Sequence, residues 1–218
     1  MSTIILYRNS LDVEITLQQK SQLNQYQEMT YVDGRLKKEV HYFENQVEYT
    51  TLYVYPDEDL TTNLNGLTQP NFTYSVGKDY YELNGYKVWK FYDYTDGTLD
   101  LNYTESVKDS IDREIAYAGY YPNGSIRVGG IKTYYLEGKI LYDEDGEIDI
   151  AYKESSYILF DFTDGSLKID VTFDEGDPYK LVYRFVNDWQ ELLPFMTPEI
   201  LTYYTNLEPL VPDLDIST

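Results

Sequence analysis

Phe160-Asp-Phe-Thr-Asp-Gly-Ser-Leu-Lys-Ile-Asp-Val171 reads as one β-hairpin. Asp-Gly is among the pairs that best tolerate positive φ at both central positions of a two-residue type I′ turn. With Asp164-Gly165 at the centre, Thr163 faces Ser166, Phe162 faces Leu167, Asp161 faces Lys168, Phe160 faces Ile169 and Ile158 faces Val171. Apolar pairs alternate with polar ones, and Asp161–Lys168 is an acid–base pair on the polar face. A half-buried antiparallel ladder has that period of two.

The turn phrase (aromatic, any residue, acid or amide, glycine, any residue, aliphatic) is written five times. The copies are Tyr31–Leu36, Tyr94–Leu99, Tyr121–Ile126, Tyr135–Ile140 and Phe162–Leu167. Residues 92–103 repeat the pattern of 160–171 at an offset of 68, with Tyr94 opposite Leu99 and Tyr92 opposite Leu101. Around Asp33-Gly34 the same count sets Met29 against Lys38. Asn84-Gly85 centres a sixth hairpin, in which Tyr81 faces Val88, Glu82 faces Lys87 and Asp79 faces Lys90. The register turns Tyr94, Phe160 and Phe162 inward and makes them structural.

Composition agrees with a sheet. The 218 residues include 26 Tyr, 8 Phe and 2 Trp. Tyrosine suits a sheet with one wet face, because the ring packs while the hydroxyl reaches water. The expected fold is therefore mainly β: an antiparallel β-hairpin meander, as a single-layer or open sheet, with a short C-terminal helical cap. One continuous domain is expected, with N-terminal hairpins over 1–55, a loop over 56–70 and a repeated meander over 71–186. A helical cap over 187–208 and an extended or frayed tail over 209–218 complete it. Ile4, Leu6, Leu11, Val13 and Ile15 are inward candidates in the opening strands. Residues 104–113 fit either a short helix or a polar hairpin loop. Near the C-terminus, Asp188 can cap a turn beginning at Trp189, and Thr197-Pro198-Glu199 signals a second helix start.

Several chemistries lack their residues. The chain has no cysteine, so neither disulfides nor thiol chemistry are open to it. Its one histidine, His41, lies between Val40 and Tyr42 in a predicted strand and is read as structural. Gly129-Gly130 is read as a strand bulge rather than a phosphate loop. Asp143-Glu-Asp-Gly-Glu-Ile-Asp149 matches a calcium loop in composition but not in glycine or glutamate position. No cofactor, metal or catalytic residue is assigned. The apolar run Ile4–Tyr7 is too short for a leader, and no stretch is long enough for a helical membrane span, so a cytoplasmic location is expected.

Net charge is the strongest functional signal. Acids number 38 against 17 bases, a formal charge of −21. Within 143–177, 12 acids face only Lys153 and Lys168. Such a field repels nucleic acid and anionic membrane and steers basic partners inward, and it also keeps a tyrosine-rich sheet soluble. At Asp145-Gly146 the turn phrase lapses: Asp143 stands where the aromatic belongs and Glu144 would face Glu147. The candidate partner-binding set is Tyr142, Asp143, Glu144, Asp145, Glu147, Asp149, Tyr152, Asp174, Glu175 and Asp177. Carboxylates there would pair with Arg or Lys, and the rings would supply rigid contact area.

Tyr31–Gln46 with Tyr53–Tyr55, and Tyr121–Tyr142, resemble the variant MORN-type repeats of bacterial proteins, including the YwqK-like antitoxin group. The resemblance covers a quarter to a third of the chain, and the Tyr-Gly-Trp alternation of the standard repeat is missing. It implies a hairpin meander and a protein-binding role, with no catalytic residues. The leading expectation is a non-enzymatic immunity- or antitoxin-type inhibitor of a basic toxin or effector domain. Alternatives are a carbohydrate- or cell-surface-binding β module using exposed rings such as Trp89, and a phage-type inhibitor that imitates nucleic acid with carboxylates.

Overall fold

Adjacent left-handed residues make the tight hairpins of this chain. Asp33-Gly34, Asn84-Gly85 and Asp96-Gly97 all have both φ angles between 48° and 83°, as a type I′ turn requires. Glu44-Asn45 does the same without glycine, at 50° and 63°. The structure, a computed structural model, describes residues 2–10, 13–65, 67, 72–136, 140–142, 148–151, 157–174, 181–185 and 196–213. In 140–142, 148–151, 171–174 and 181–185 it describes the backbone path. The chain is mainly β, an open and antiparallel-dominated sheet with a short C-terminal helix. No helix among the described residues is long and apolar enough to cross a membrane.

Contacts divide the chain into two units. The first comprises 1–81, 88–105 and 120–125; the second comprises 82–87, 106–119 and 126–218. The first contains β1 (Thr3–Arg8), β2 (Glu14–Ile15), α1 (Leu17–Lys20), β3 (Gln25–Val32), β4 (Arg35–Phe43), β5 (Gln46–Tyr53) and α2 (Leu60–Leu64). It also holds most of β6 (Thr73–Leu83) and β7 (Tyr86–Thr95), and all of β8 (Thr98–Leu99). Its hydrogen-bonded order is β2-β1-β3-β4-β5-β6-β7. Strand β9 (Tyr103–Lys108) contributes residues to both units.

Register follows the turn count near each tip and departs from it farther out. Tyr31 faces Leu36 and Val32 faces Arg35, as expected. The ladder then shifts between Thr30 and Tyr31, so Thr30 faces Lys38 and Met29 faces Glu39 rather than Lys38. Lys37 is the extra residue of this β-bulge, and it ion-pairs with Glu58. Met29, Leu36, Tyr53 and Trp89 form the buried core of this unit, with Leu6, Tyr31, Tyr55, Tyr80 and Phe91 packed against them. Leu6 thus points inward as expected, whereas Ile4 is exposed, and Leu11 lies outside the described residues.

Two features depart from a pure hairpin meander. Strands β5 and β6 pair in parallel, with Thr50 opposite Tyr74 and Tyr53 opposite Gly77. A parallel pair needs a long crossover, and 54–72 supplies it, including α2 capped by the Asp59 side chain. Arg35 holds Asp57 of that crossover through both carboxylate oxygens at 2.8 Å. In the 92–103 copy, Tyr94 faces Leu99 but Tyr92 does not face Leu101. Asp100 turns the chain there: its backbone N–H donates to the Asp93 carbonyl and its side chain accepts from the Asn102 N–H, leaving Leu101 70% exposed.

The second unit has β10 (Glu114–Tyr120) except Tyr120, β11 (Ile126–Tyr135), β14 (Tyr157–Asp161), β15 (Lys168–Asp174) and β16 (Leu181–Phe185), in the order β10-β11-β14-β15-β16. A separate pair, β12 (Ile140–Tyr142) with β13 (Ile148–Ala151), and α3 (Pro198–Thr205) complete it. Residues 104–113 form the hairpin of β9 and β10. Asp109 Oδ1 accepts the Ile111 and Arg113 N–H groups there, and its Oδ2 accepts from Arg113 Nε.

The 160–171 hairpin keeps Asp161–Lys168, Phe160–Ile169 and Ile158–Val171 as counted. Its tip is wider than the expected turn. Only Gly165 has positive φ, and its N–H donates to the Phe162 carbonyl. Asp161 and Asp164 side chains bond to the N–H groups of Thr163 and Ser166, and Phe162 and Leu167 fall outside the ladder. The Tyr121 copy closes in the same way, with Gly124 donating to the Tyr121 carbonyl. Phe160 is fully buried as expected; Tyr94 and Phe162 are half-buried.

Gly129 and Gly130 lie in β11, where neighbouring backbone leaves no room for a side chain. A Cβ at Gly129 would lie 1.9 Å from the Phe162 carbonyl oxygen, and one at Gly130 1.9 Å from that of Tyr117. Thr197 caps α3 by accepting from the Ile200 N–H, as its sequence signals. The expected turn at Trp189 lies outside the described residues.

Candidate functional site

Of the expected partner-binding set, Asp143, Glu144, Asp145, Glu147, Tyr152, Glu175 and Asp177 lie outside the described residues. The backbone of Tyr142 ends β12, that of Asp149 lies in β13, and that of Asp174 ends β15. Leu141 faces Ile150 while Tyr142 faces Ile148, so Asp149 is the extra residue of a bulge. Strands β12 and β13 pair antiparallel, and 143–147 between them lie outside the described residues. Tyr142 and Asp149 belong to that pair, and Asp174 to a different sheet.

Three side-chain constellations stand out among the described residues. The first is a tyrosine ladder. Tyr92 and Tyr103 have ring centroids 5.7 Å apart, and Tyr103 stacks on Tyr120 at 5.4 Å. Lys78 sits 4.2 Å from the Tyr92 ring centre and Lys90 4.7 Å from that of Tyr103. Tyr92 donates to Asp79, and burial together with that bond raises the Tyr92 hydroxyl well above its ordinary value. Burial opposes ionisation of Asp79, but its bonds from Lys78 and Tyr92 bring it below the usual carboxylate range. Burial alone raises Glu105, against the pull of Lys90.

The second constellation is a tyrosine box around one ammonium. In the β1–β3–β4 register Tyr7 faces Glu28 and Tyr26 faces Tyr42. Side chains on a strand alternate faces, so Tyr7, Tyr26, Glu28 and Tyr42 share the face opposite Leu6 and Met29. Tyr26 and Tyr42 stack at 4.8 Å. Lys20, the last residue of α1, reaches over them. Its Nζ is 4.2 Å from the Tyr7 ring centre, 4.7 Å from Tyr26, 5.9 Å from Tyr42 and 3.7 Å from Glu28 Oε2. Burial raises the Tyr42 hydroxyl. An unbulged count from Asp33-Gly34 places His41, not Tyr42, opposite Tyr26, so the sequence reading missed this site. His41 instead stacks on Tyr49 at 3.7 Å.

The third is a buried lysine. Lys132 is 0% exposed; its Nζ donates to the Tyr203 and Pro209 carbonyls at 2.8 Å each and lies 3.5 Å from the Tyr203 ring centre. Burial pushes it down to about 7, against the field of Glu208. Tyr203 donates to the Leu210 carbonyl, Tyr204 to that of Thr133, and Asn84 to that of Pro212. The segment from 209 to 213, expected to be extended or frayed, is thus docked rather than frayed, with Leu210 and Pro212 buried. With no solvent access, Lys132 is a strut rather than a nucleophile.

Trp89, one ring expected of a sugar-binding face, is instead 3% exposed and walled in by Tyr53, Tyr55 and Tyr80. Among the described residues no three His, Asp or Glu side chains gather as a metal site. No family model, curated protein or solved structure matches the chain.

Proposed function

We propose that this chain is a non-enzymatic, acidic protein-binding protein, an inhibitor of the immunity or antitoxin kind that neutralises a basic toxin or effector domain. The observation that supports this reading is the formal charge of −21 on a sheet rich in tyrosine. Carboxylates at that density attract a cationic surface over a Debye length and pair with its Arg and Lys on contact. Tyrosines such as Tyr81, Tyr92 and Tyr103 add rigid area at low entropic cost, and Asp79 and Glu105 stand beside them. The acidic stretch Asp143–Glu147 is the proposed centre of contact.

The test is affinity capture with the full chain from its native host, then stopped-flow association with the captured protein. A partner of net positive charge is expected, with an on-rate that falls about tenfold or more between about 20 mM and about 300 mM salt. Replacing Asp143, Glu144, Asp145 and Glu147 by Asn or Gln should lower that rate at low salt. A neutral partner, or a rate indifferent to salt, overturns the reading.

A further inference from the structure

Tyr7, Tyr26 and Tyr42 surround one positive charge, and the charge belongs to the chain itself. The geometry points to a cation-binding site, a tyrosine cage with one carboxylate that takes an organic ammonium group, closed in this structure by Lys20 on a displaceable strap.

The site stands on the face of β1, β3 and β4 opposite the cluster of Met29 and Leu36; Tyr26 is buried there, while Tyr7, Lys20, Glu28 and Tyr42 are half-buried and reach solvent. Three ring centres lie within 6 Å of Nζ, the range over which a ring quadrupole attracts a cation. Glu28 supplies the countercharge from 3.7 Å, longer than a hydrogen bond. Its hold on the cation needs no donated proton, so a quaternary ammonium satisfies the cage as well as a primary one.

The occupant sits on a light support. Helix α1 has four residues and buries none of them, and Leu17 at its start is 66% exposed. Before it, β2 pairs with β1 through Tyr7–Ile15 and Arg8–Glu14. Undocking α1 therefore exposes no buried side chain of the helix itself, and an ammonium in trans competes with the Lys20 side chain for the rings. The residues of this site are none of those in the candidate partner-binding set, and the inference does not depend on the inhibitor reading.

The test titrates the full chain with tetramethylammonium chloride at constant ionic strength, following tyrosine ring resonances by NMR. Lys20→Ala should bind at least about tenfold more tightly than the unaltered chain, and adding Tyr42→Ala should abolish that gain. N-acetyl-trimethyllysine amide forms the second arm. Equal affinity assigns the site to small ammonium compounds, and tighter binding of the amide assigns it to a protein side chain. In the unaltered chain, ring currents should shift the Lys20 ε-methylene protons upfield, and excess tetramethylammonium should return them toward random-coil values. Lys20→Ala binding no more tightly than the unaltered chain overturns the proposal, as do sodium ions producing the same shifts. Should Lys20→Ala not fold, ε-methylene protons that stay fixed under excess ligand overturn it equally.

Discussion

Lys20 and Lys132 both carry an ammonium against tyrosine rings, yet they are opposite kinds of site. Lys20 keeps part of its side chain in water and has three rings and a carboxylate around it. Lys132 is shut off from solvent and donates to two main-chain carbonyls. Carbonyls satisfy the donors of an ammonium but only partly offset its lost hydration, so burial pushes Lys132 down to about 7. In Lys132 burial lowers the ammonium although an aromatic ring lies against it.

The largest effect should come from removing the strut. Lys132→Ala strands the Tyr203 and Pro209 carbonyls without their donor, at about 1–3 kcal/mol each. Urea unfolding should show a midpoint lowered accordingly, and hydrogen exchange should quicken across 203–212. A variant as stable as the original would break the comparison.

The pH dependence of stability sharpens it. Lys132 binds its proton less tightly when folded, at about 7 against an ordinary 10.5. Between those values the unfolded chain holds more protons, so stability should rise with pH, by up to about 1.4 kcal/mol per unit. Above pH 10 the trend should reverse, because burial keeps Tyr203 and Tyr204 neutral while the unfolded chain ionises its tyrosines. Thermal melts of Lys132→Met, taken from pH 7.5 to 9.5, should lose the rise; Lys20→Met should keep it.

Thr197→Ala removes the cap of the helix that carries Tyr203, and about 1 kcal/mol should be lost in the same urea assay. Lys20→Ala should cost least, about 0.5–1 kcal/mol, and the difference should shrink in high salt.

The turns were legible because Asp-Gly and Asn-Gly state their own φ angles, and Tyr31–Leu36 and Tyr94–Leu99 followed from counting. The bulge at Lys37 was not, since an inserted residue leaves no mark when hydrophobic alternation on either side stays intact. That single slip concealed the Tyr26–Tyr42 pair and with it the tyrosine box. Thr197-Pro198 announced its helix through cap chemistry. Lys132 gave no such notice, for its partners lie 71 and 77 residues downstream and are carbonyls, which every residue has. The 162–167 tip misled because Asp161 and Asp164 compete for backbone N–H groups that a two-residue turn would have used.

The parallel step between β5 and β6 also has a consequence in time. From β3 to β5 each strand can zip onto its predecessor as the chain lengthens, because hairpin partners such as Tyr31 and Leu36 are near neighbours in sequence. Zipping stops at Tyr53. Thr50 must wait for Tyr74, and closing that longer loop costs entropy before any ladder bond is gained. A chain emerging from the ribosome would therefore hold β5 as a free edge until the crossover is made, and Arg35 and Lys37, by drawing in Asp57 and Glu58, shorten that search.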